Sequence, residues 1–396
     1  MKRISGTVSR GLRAPIIKSG DDLEQIVVDT VVKAAENGEF TPRDRDIVAV
    51  TESILARAQG NYCSIDDITE DIHAKFKGDS LGIVFPILSR NRFSVCLKGF
   101  ARGVKKIYLV LSYPSDEVGN QLFDPELLED KNINPYSDVL TQEKFEAAFG
   151  KSCHPFTGMD YVNYYRELIE GEGCEAEIIF SNDPRTVLKY TDQVLACDIH
   201  TRERTKRKLK NAGAKTVLGM DGIMTSPVNG SGYHPQYGLL GSNKASGHSV
   251  KLFPRDCREF ALSVQKKLID ALHVHPEVMV YGDGAFKDPA GKIWELADPV
   301  VSPGYTDGLT GTPNELKLKY LADDQFKDLR GEELEEAIRK SIREKDAKLF
   351  GKMSSEGTTP RHLTDLIGSL CDLTSGSGDK GTPFIYIQGY FDNYTD

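Results

Sequence analysis

Between residues 104 and 222 the chain repeats one grammar. "VKKIYLVLSYP" (104–114) reads as a buried strand, and "YVNYYRELIEGEGCEAEIIFSNDP" (161–184) as a helix, a turn and another strand. "TKRKLKNAGAKTVLGM" (205–220) again reads as helix, turn and strand. Short apolar runs without polar alternation bury both faces, and the helices between them return the chain across the sheet. This alternation predicts an α/β fold with parallel strands, with α+β as the alternative for the chain as a whole.

The flanking segments have other textures. After a turn-rich strand region, "DLEQIVVDTVVKAAENG" places Ile26, Thr30, Val31 and Ala34 at helical spacing, with Asn37-Gly38 as the stop. "DRDIVAVTESILARAQG" gives a short apolar strand at 47–50 that passes into a helix through Thr51 and Glu52. Residues 222–256 are rich in Gly, Ser, Asn and His, and a loop of that length is usually functional or disordered. Past residue 330 a surface helix is expected with Leu334, Ile338, Ile342 and Leu349 on one side and Glu336 paired to Lys340; "PFIYIQGYF" then reads as a strand.

Composition closes several function classes. With 59 acidic against 50 basic residues the net charge is −9, which argues against nucleic acid as the main partner. No apolar run approaches a membrane span, and the N-terminus lacks a signal-peptide core, so a cytoplasmic location is expected. The seven cysteines are scattered with no CxxC, which suits reduced thiols better than a disulfide framework or a zinc site. No HExxH and no P-loop occur. "GSGDKG" (376–381) matches GxGxxG, but a strand comes after it, so no helix N-terminus is there to hold a pyrophosphate. His234 and His248 lie in the glycine-rich region and read as loop histidines.

The chemistry-bearing candidates are acids at strand ends. "VMVYGDGAFKDP" (278–289) runs a buried strand into Asp283 between two glycines. Glu52 comes directly after "VAVT", Asp198 sits in "LACDIH", and Asp221 ends "VLGMDG". Ligands of α/β sheets gather beyond the carboxyl ends of strands, and hard carboxylate oxygens there suit Mg2+ or Mn2+. For any single acid, a turn or helix cap is the alternative. Cationic partners are offered by "SRNRFS" (Arg90, Arg92) and "SNKASGHSVK" (Lys244, Lys251), in loops whose backbone N–H groups suit anions.

The order of segments is also informative. "RGLRAPIIKSGDDLEQIV" followed by "GEFTPRDRDIVAVTESILARAQG" resembles the start of the gamma-glutamyl ligases of coenzyme F-420 biosynthesis. "YGLLGSNKASGHSVKLFPRDCREFALSVQKKL" is similar to a later block of that family, carried by Asn243, Leu252, Phe253, Pro254 and Asp256. "VMVYGDGAF" lies where the family has a strand ending in Asp-Thr-Phe-Gly; Gly284 stands in place of the Thr, and "FKDPAG" does not reproduce the family's "GRPWR".

The resemblance implies a gamma-glutamyl-ligase-like core at 1–103 and 223–330, an inserted α/β segment at 104–222 and a C-terminal helix and strand extension at 331–396. It implies an amide ligase and a homodimer that uses GTP, or ATP, with Mn2+ or Mg2+ to join L-glutamate, or another amino acid, to a carboxylate of a small cofactor-like acceptor through an acyl phosphate. Asp283, Asn243 and Lys244 would be catalytic. Arg90, Arg92, Ser242, Lys251 and Gly284 would face nucleotide or phosphate, and Asp283, Asp221 and Glu52 the metal. The rival readings are a nucleotide- or metabolite-binding protein of the same fold without ligase activity, and a sugar- or amino-acid-binding module built on the inserted segment.

Overall fold

A computed structural model describes residues 4–151, 153–154, 158–283, 300–349, 351–355, 361–376 and 378–395, and of Asp283, Val300 and Val301 the backbone alone. Strands are numbered in chain order. The chain forms two compact units, one from residues 1–58 with 256–396 and one from 59–255.

The first unit holds the strands β1 (Val8–Leu12), β2 (Ile47–Thr51), β12 (Glu277–Asp283), β13 (Val300–Tyr305) and β14 (Phe384–Gln388), in the order β1-β14-β2-β12-β13. β2 and β12 are parallel, and the other pairings are antiparallel. Because side chains alternate along a strand, Val48 and Val50 face one layer while Ile47 and Ala49 face the other. The helices Leu23–Glu36 and Cys257–Leu272 cover the first face, burying Val27, Val31, Val264 and Leu268 against it. Leu363–Ser375 covers the second with Ile367 and Cys371. Each fully buried Val, Leu or Ile contributes roughly 1.5–3 kcal/mol, which explains why β2 has no polar side.

Four expectations shift here. On the helix Leu23–Glu36 the buried stripe is Leu23, Val27, Val28, Val31 and Ala34; Ile26 and Thr30 are only partly covered. The surface helix ends at Arg343, so Ile338 and Ile342 pack from it, while Leu349 is buried beyond its end. Glu336 pairs with Arg343 at 3.3 Å. The C-terminal strand lies between β1 and β2, inside the core sheet rather than beside it.

The second unit is built on a six-stranded sheet, order β6-β7-β5-β4-β8-β9. Its members are β4 (Ser80–Val84), β5 (Lys106–Leu111), β6 (Leu140–Thr141), β7 (Glu175–Phe180), β8 (Gln193–Ala196) and β9 (Thr216–Gly219). All pairings are parallel except that of β6. Numbered among themselves, the five parallel strands run 3-2-1-4-5, so the connection reverses between β4 and β8. The sequence pattern starts this α/β region at residue 104, yet β4 is hydrogen bonded to both β5 and β8 at its centre.

One face is covered by the helices Ile65–Lys75, Ser94–Arg102 and Tyr161–Glu170, through Ile68, Phe100 and Tyr165 among others. The other is covered by Val187 and by Leu209 of the helix Arg202–Asn211. A small antiparallel sheet joins β10 (Asn243–Lys244), β11 (Ser249–Lys251) and β3 (Tyr62–Ser64). Among the described residues no helix is long and apolar enough to cross a membrane, and the seven cysteines are free thiols, six of them buried.

Candidate functional site

In the first unit β2 and β12 run in the same direction and end together, with Tyr281 opposite Thr51. Glu52 opens the helix Glu52–Ala58 immediately beyond β2 and is buried. Its place is fixed by a missing side chain: a Cβ on Gly282 would lie 2.0 Å from Glu52 Cγ and 3.1 Å from its carboxyl carbon. The β12–β13 pairing shifts register between Val280 and Gly282, an irregularity of the kind that re-aims a strand end. Cys257 starts the helix Cys257–Leu272, and burial, with the charge of Glu52 next, pushes its thiol up to about 12. A neutral thiol is what this environment favours, not a nucleophile.

Asp283 is the last residue of β12, its backbone opposite Val300. Its side chain, Gly284 and the rest of "GAFKDP" lie outside the described residues. Gly282→Ala is therefore expected to displace Glu52. It should cost about 1–3 kcal/mol of stability, as overpacking of a filled site does, and should lower activity along with it. Urea denaturation of the two proteins checks this, and an unchanged midpoint would mean that the site can open.

In the second unit two stretches about 150 residues apart come together. Arg90 and Arg92 lie in the loop between β4 and the helix Ser94–Arg102. Ser242, Asn243, Lys244 and Lys251 lie in and beside the β10–β11 hairpin, where Asn243 stands opposite Lys251. The backbone N–H of Lys244 donates to the Asn91 carbonyl at 2.7 Å, and Ser242 Oγ is 3.7 Å from Cys96 Sγ on that helix. Arg90 and Lys244 are exposed; Ser242 and Lys251 are buried. His234, read as a loop histidine, is buried, and its Nδ1 accepts from the N–H groups of Gln236 and Tyr237 at 3.2 and 3.0 Å.

The remaining acids gather at the carboxyl edge of the parallel sheet. Asp221 binds Arg202 Nε at 3.0 Å and Lys206 Nζ at 3.5 Å. It belongs to the unit 59–255, whereas Glu52 and Asp283 belong to the other. Asp198 is fully buried, and its Oδ2 accepts from the Thr201 and Thr205 hydroxyls, both at 2.7 Å.

Glu117 is a residue that no sequence motif singles out. It comes after Asp116, whose carboxylate ties the loop after β5 to the loop after β4 by accepting from the N–H groups of Leu88 and Asn120, both at 2.8 Å. From that anchor Glu117 reaches the start of the helix Arg202–Asn211. Its carboxylate accepts from the backbone N–H groups of Ile199, of His200 at 3.1 Å and of Thr201 at 3.3 Å, and from the Thr201 hydroxyl at 3.4 Å. Burial outweighs those amides and raises its pKa to about 7, with the Asp198 charge adding to the shift. Burial also raises Asp198. "SYPSDEVGN" after a strand held the only signal in the sequence: adjacent acids at a strand end.

Two comparisons set the chain beside known proteins. The family model described as F420-0:gamma-glutamyl ligase matches residues 11–389. No curated protein matches the chain.

Proposed function

The chain belongs to the F420-0:gamma-glutamyl ligase family, and from that premise we propose that it is a nucleotide- and metal-dependent ligase that joins L-glutamate to a carboxylate of a small acceptor. The coarse statement, an amino-acid ligase of the coenzyme F420 pathway, follows from the family, and the match across residues 11–389 is the observation that carries it. The dependence on GTP or ATP and on Mn2+ or Mg2+ is what the family resemblance implies, and the acids and bases at the strand ends support it.

The reaction proposed has two steps. An acceptor carboxylate oxygen attacks the terminal phosphorus of the nucleotide, the bridging P–O bond breaks, and the nucleoside diphosphate leaves. The glutamate nitrogen then attacks the acyl carbon, the C–O bond to phosphate breaks, orthophosphate leaves and the nitrogen loses a proton. Such chemistry needs positioning and charge neutralisation more than covalent help from the protein.

Among the described residues no three His, Cys, Asp or Glu side chains come together to hold a metal ion. Glu52, with Asp283 from the adjacent strand end, would supply two carboxylates. That donor set suits a hard divalent ion that takes its remaining ligands from phosphate oxygens and water. Bound there, the ion would neutralise phosphate charge. Within the unit 59–255, considered by itself, Arg90, Lys244 and Lys251, with Asn243, Ser242 and Arg92, are the cationic and polar residues that would face phosphate or substrate oxygens.

Orthophosphate release tests the reading. The protein is given GTP or ATP, Mn2+ or Mg2+, L-glutamate and coenzyme F420-0. The expected result is one phosphate per amide formed, only when both F420-0 and glutamate are present. A nucleotide at 100 times its Kd should also raise the unfolding free energy by roughly 2.7 kcal/mol. That stabilisation without phosphate release would instead favour the non-ligase nucleotide-binding reading, to which the Gly284 replacement also points. Neither effect with any nucleotide and metal would overturn both.

A further inference from the structure

The turn between β8 and the helix Arg202–Asn211 is held by the chain's own glutamate side chain. Three successive backbone N–H groups, of Ile199, His200 and Thr201, converge on the Glu117 carboxylate, contributed from about 80 residues earlier. The turn lies where the strand order reverses, between β4 and β8, and open α/β sheets take their ligands at such a reversal. Successive amides at the start of a helix present partial positive charge to an anion. The site accommodates a carboxylate, because Glu117 places one there.

A second observation concerns the opposite charge. Asp198 is 0% exposed, and while its Oδ2 is satisfied by Thr201 and Thr205, its Oδ1 is buried and has no hydrogen-bond partner among the described residues. Thr201 links the two acids, because its hydroxyl donates to Asp198 and also approaches Glu117. A buried carboxylate oxygen lacking a donor is costly, and an ammonium group would satisfy it. The two features together describe a zwitterion: a carboxylate on the amides and an ammonium on Asp198.

We propose that this edge of the unit 59–255 is a binding site for an α-amino acid, whose carboxylate takes the place of Glu117 on the amides of Ile199–Thr201 and whose ammonium meets Asp198 Oδ1. A phosphate dianion fits less well. Its charge would face Asp198, and the nearby cations are engaged: Arg202 with Asp221 and the Ile199 carbonyl, Lys206 with Glu203 and Asp221. Glu117 can leave because it is only partly buried, on a loop whose next two residues, Val118 and Gly119, are exposed. The inference rests on the ligase reading only for the choice of glutamate as the amino acid to titrate.

Isothermal titration of the full-length protein, with no nucleotide, metal or acceptor present, tests it. L-glutamate is compared with glutarate, which lacks the ammonium, and with inorganic phosphate. Glutamate is expected to bind at least tenfold more tightly than either. Glu117→Ala should tighten glutamate at least tenfold by vacating the amides, and Asp198→Asn should bring glutamate down to the level of glutarate. Glutarate or phosphate binding as well as glutamate to the wild type overturns the proposal, and that comparison stands even if a variant fails to fold. A folded Glu117→Ala protein with unchanged glutamate affinity overturns it too. None of these results touches phosphate release, so failure here and failure of the ligase reading are separable.

Discussion

Glu52→Gln is expected to lower turnover about 10²–10³-fold, the range seen when one charge-stabilising group is removed from a reaction centre, while the melting temperature stays within a few degrees of wild type. The geometry makes this a clean substitution. Glutamine has the shape of glutamate, so it fills the space left by Gly282 without the clash that a Cβ at 282 would create. The change removes a charge from a buried position, which by itself does not weaken packing and relieves desolvation. A metal or phosphate site needs that charge; a purely structural role does not. Asp283→Asn, at the end of the neighbouring strand, should lower turnover similarly, and the double variant should lose little more than either single one, as groups that act as a unit do. The measurement is orthophosphate release beside a thermal melt of each protein. Wild-type turnover in Glu52→Gln would remove Glu52 from the site, whereas a large fall in melting temperature would assign it to the core.

Gly282→Ala supplies the opposite arm of the same comparison, because it leaves both carboxylates chemically intact and moves one of them. If position matters as much as charge, it should lose activity and stability together. The two variants thus separate what Glu52 carries from where Gly282 allows it to sit.

The local periods of the chain predict much of this fold. "VKKIYLVL" and "EAEIIF" announce buried strands through uninterrupted apolar runs, and the strand order that joins them is α/β as expected. The strand-ending acids Glu52 and Asp283 are legible for the same reason: β2 and β12 have clear apolar spans, and each acid stands where its span stops. Pairing is less legible than strand content. That β14 lies between β1 and β2 depends on contacts across more than 300 residues, for which no local signal exists. The two-unit division is hidden likewise, because β4 carries no mark that its partners are β5 and β8. Glu117 shows the limit most plainly. Its place is set by Asp116 holding one loop against another, and its partners are backbone amides of residues 199–201, which no side-chain pattern can announce.

The same arrangement gives the fold a pH dependence with a definite sign. The Glu117 pKa rises from 4.5 to about 7, chiefly by burial, then by the charge of Asp198, against the backbone amides that lower it. A carboxyl whose folded pKa lies above its unfolded value binds its proton more tightly in the native state. Its contribution to stability is therefore complete below about pH 4.5 and is lost as pH climbs towards 7. At 1.36 kcal/mol per pKa unit the full loss is roughly 3 kcal/mol, an upper bound for a group that keeps partial access to water. Asp198 shifts in the same direction for the same first cause, and its charge adds to the rise of Glu117. The charge of Arg202 acts against the Asp198 shift. Glu117→Gln retains the shape and removes the titration. Urea denaturation at pH 5 and pH 7.5 should then show wild type losing up to about 3 kcal/mol more than Glu117→Gln between the two. Parallel profiles would mean that the carboxylate is solvated or neutralised by a cation in solution. A wild type more stable at pH 7.5, relative to the variant, would mean that the three amides outweigh burial, and the turn would then be a tight carboxylate clamp, not a site that its own glutamate can leave.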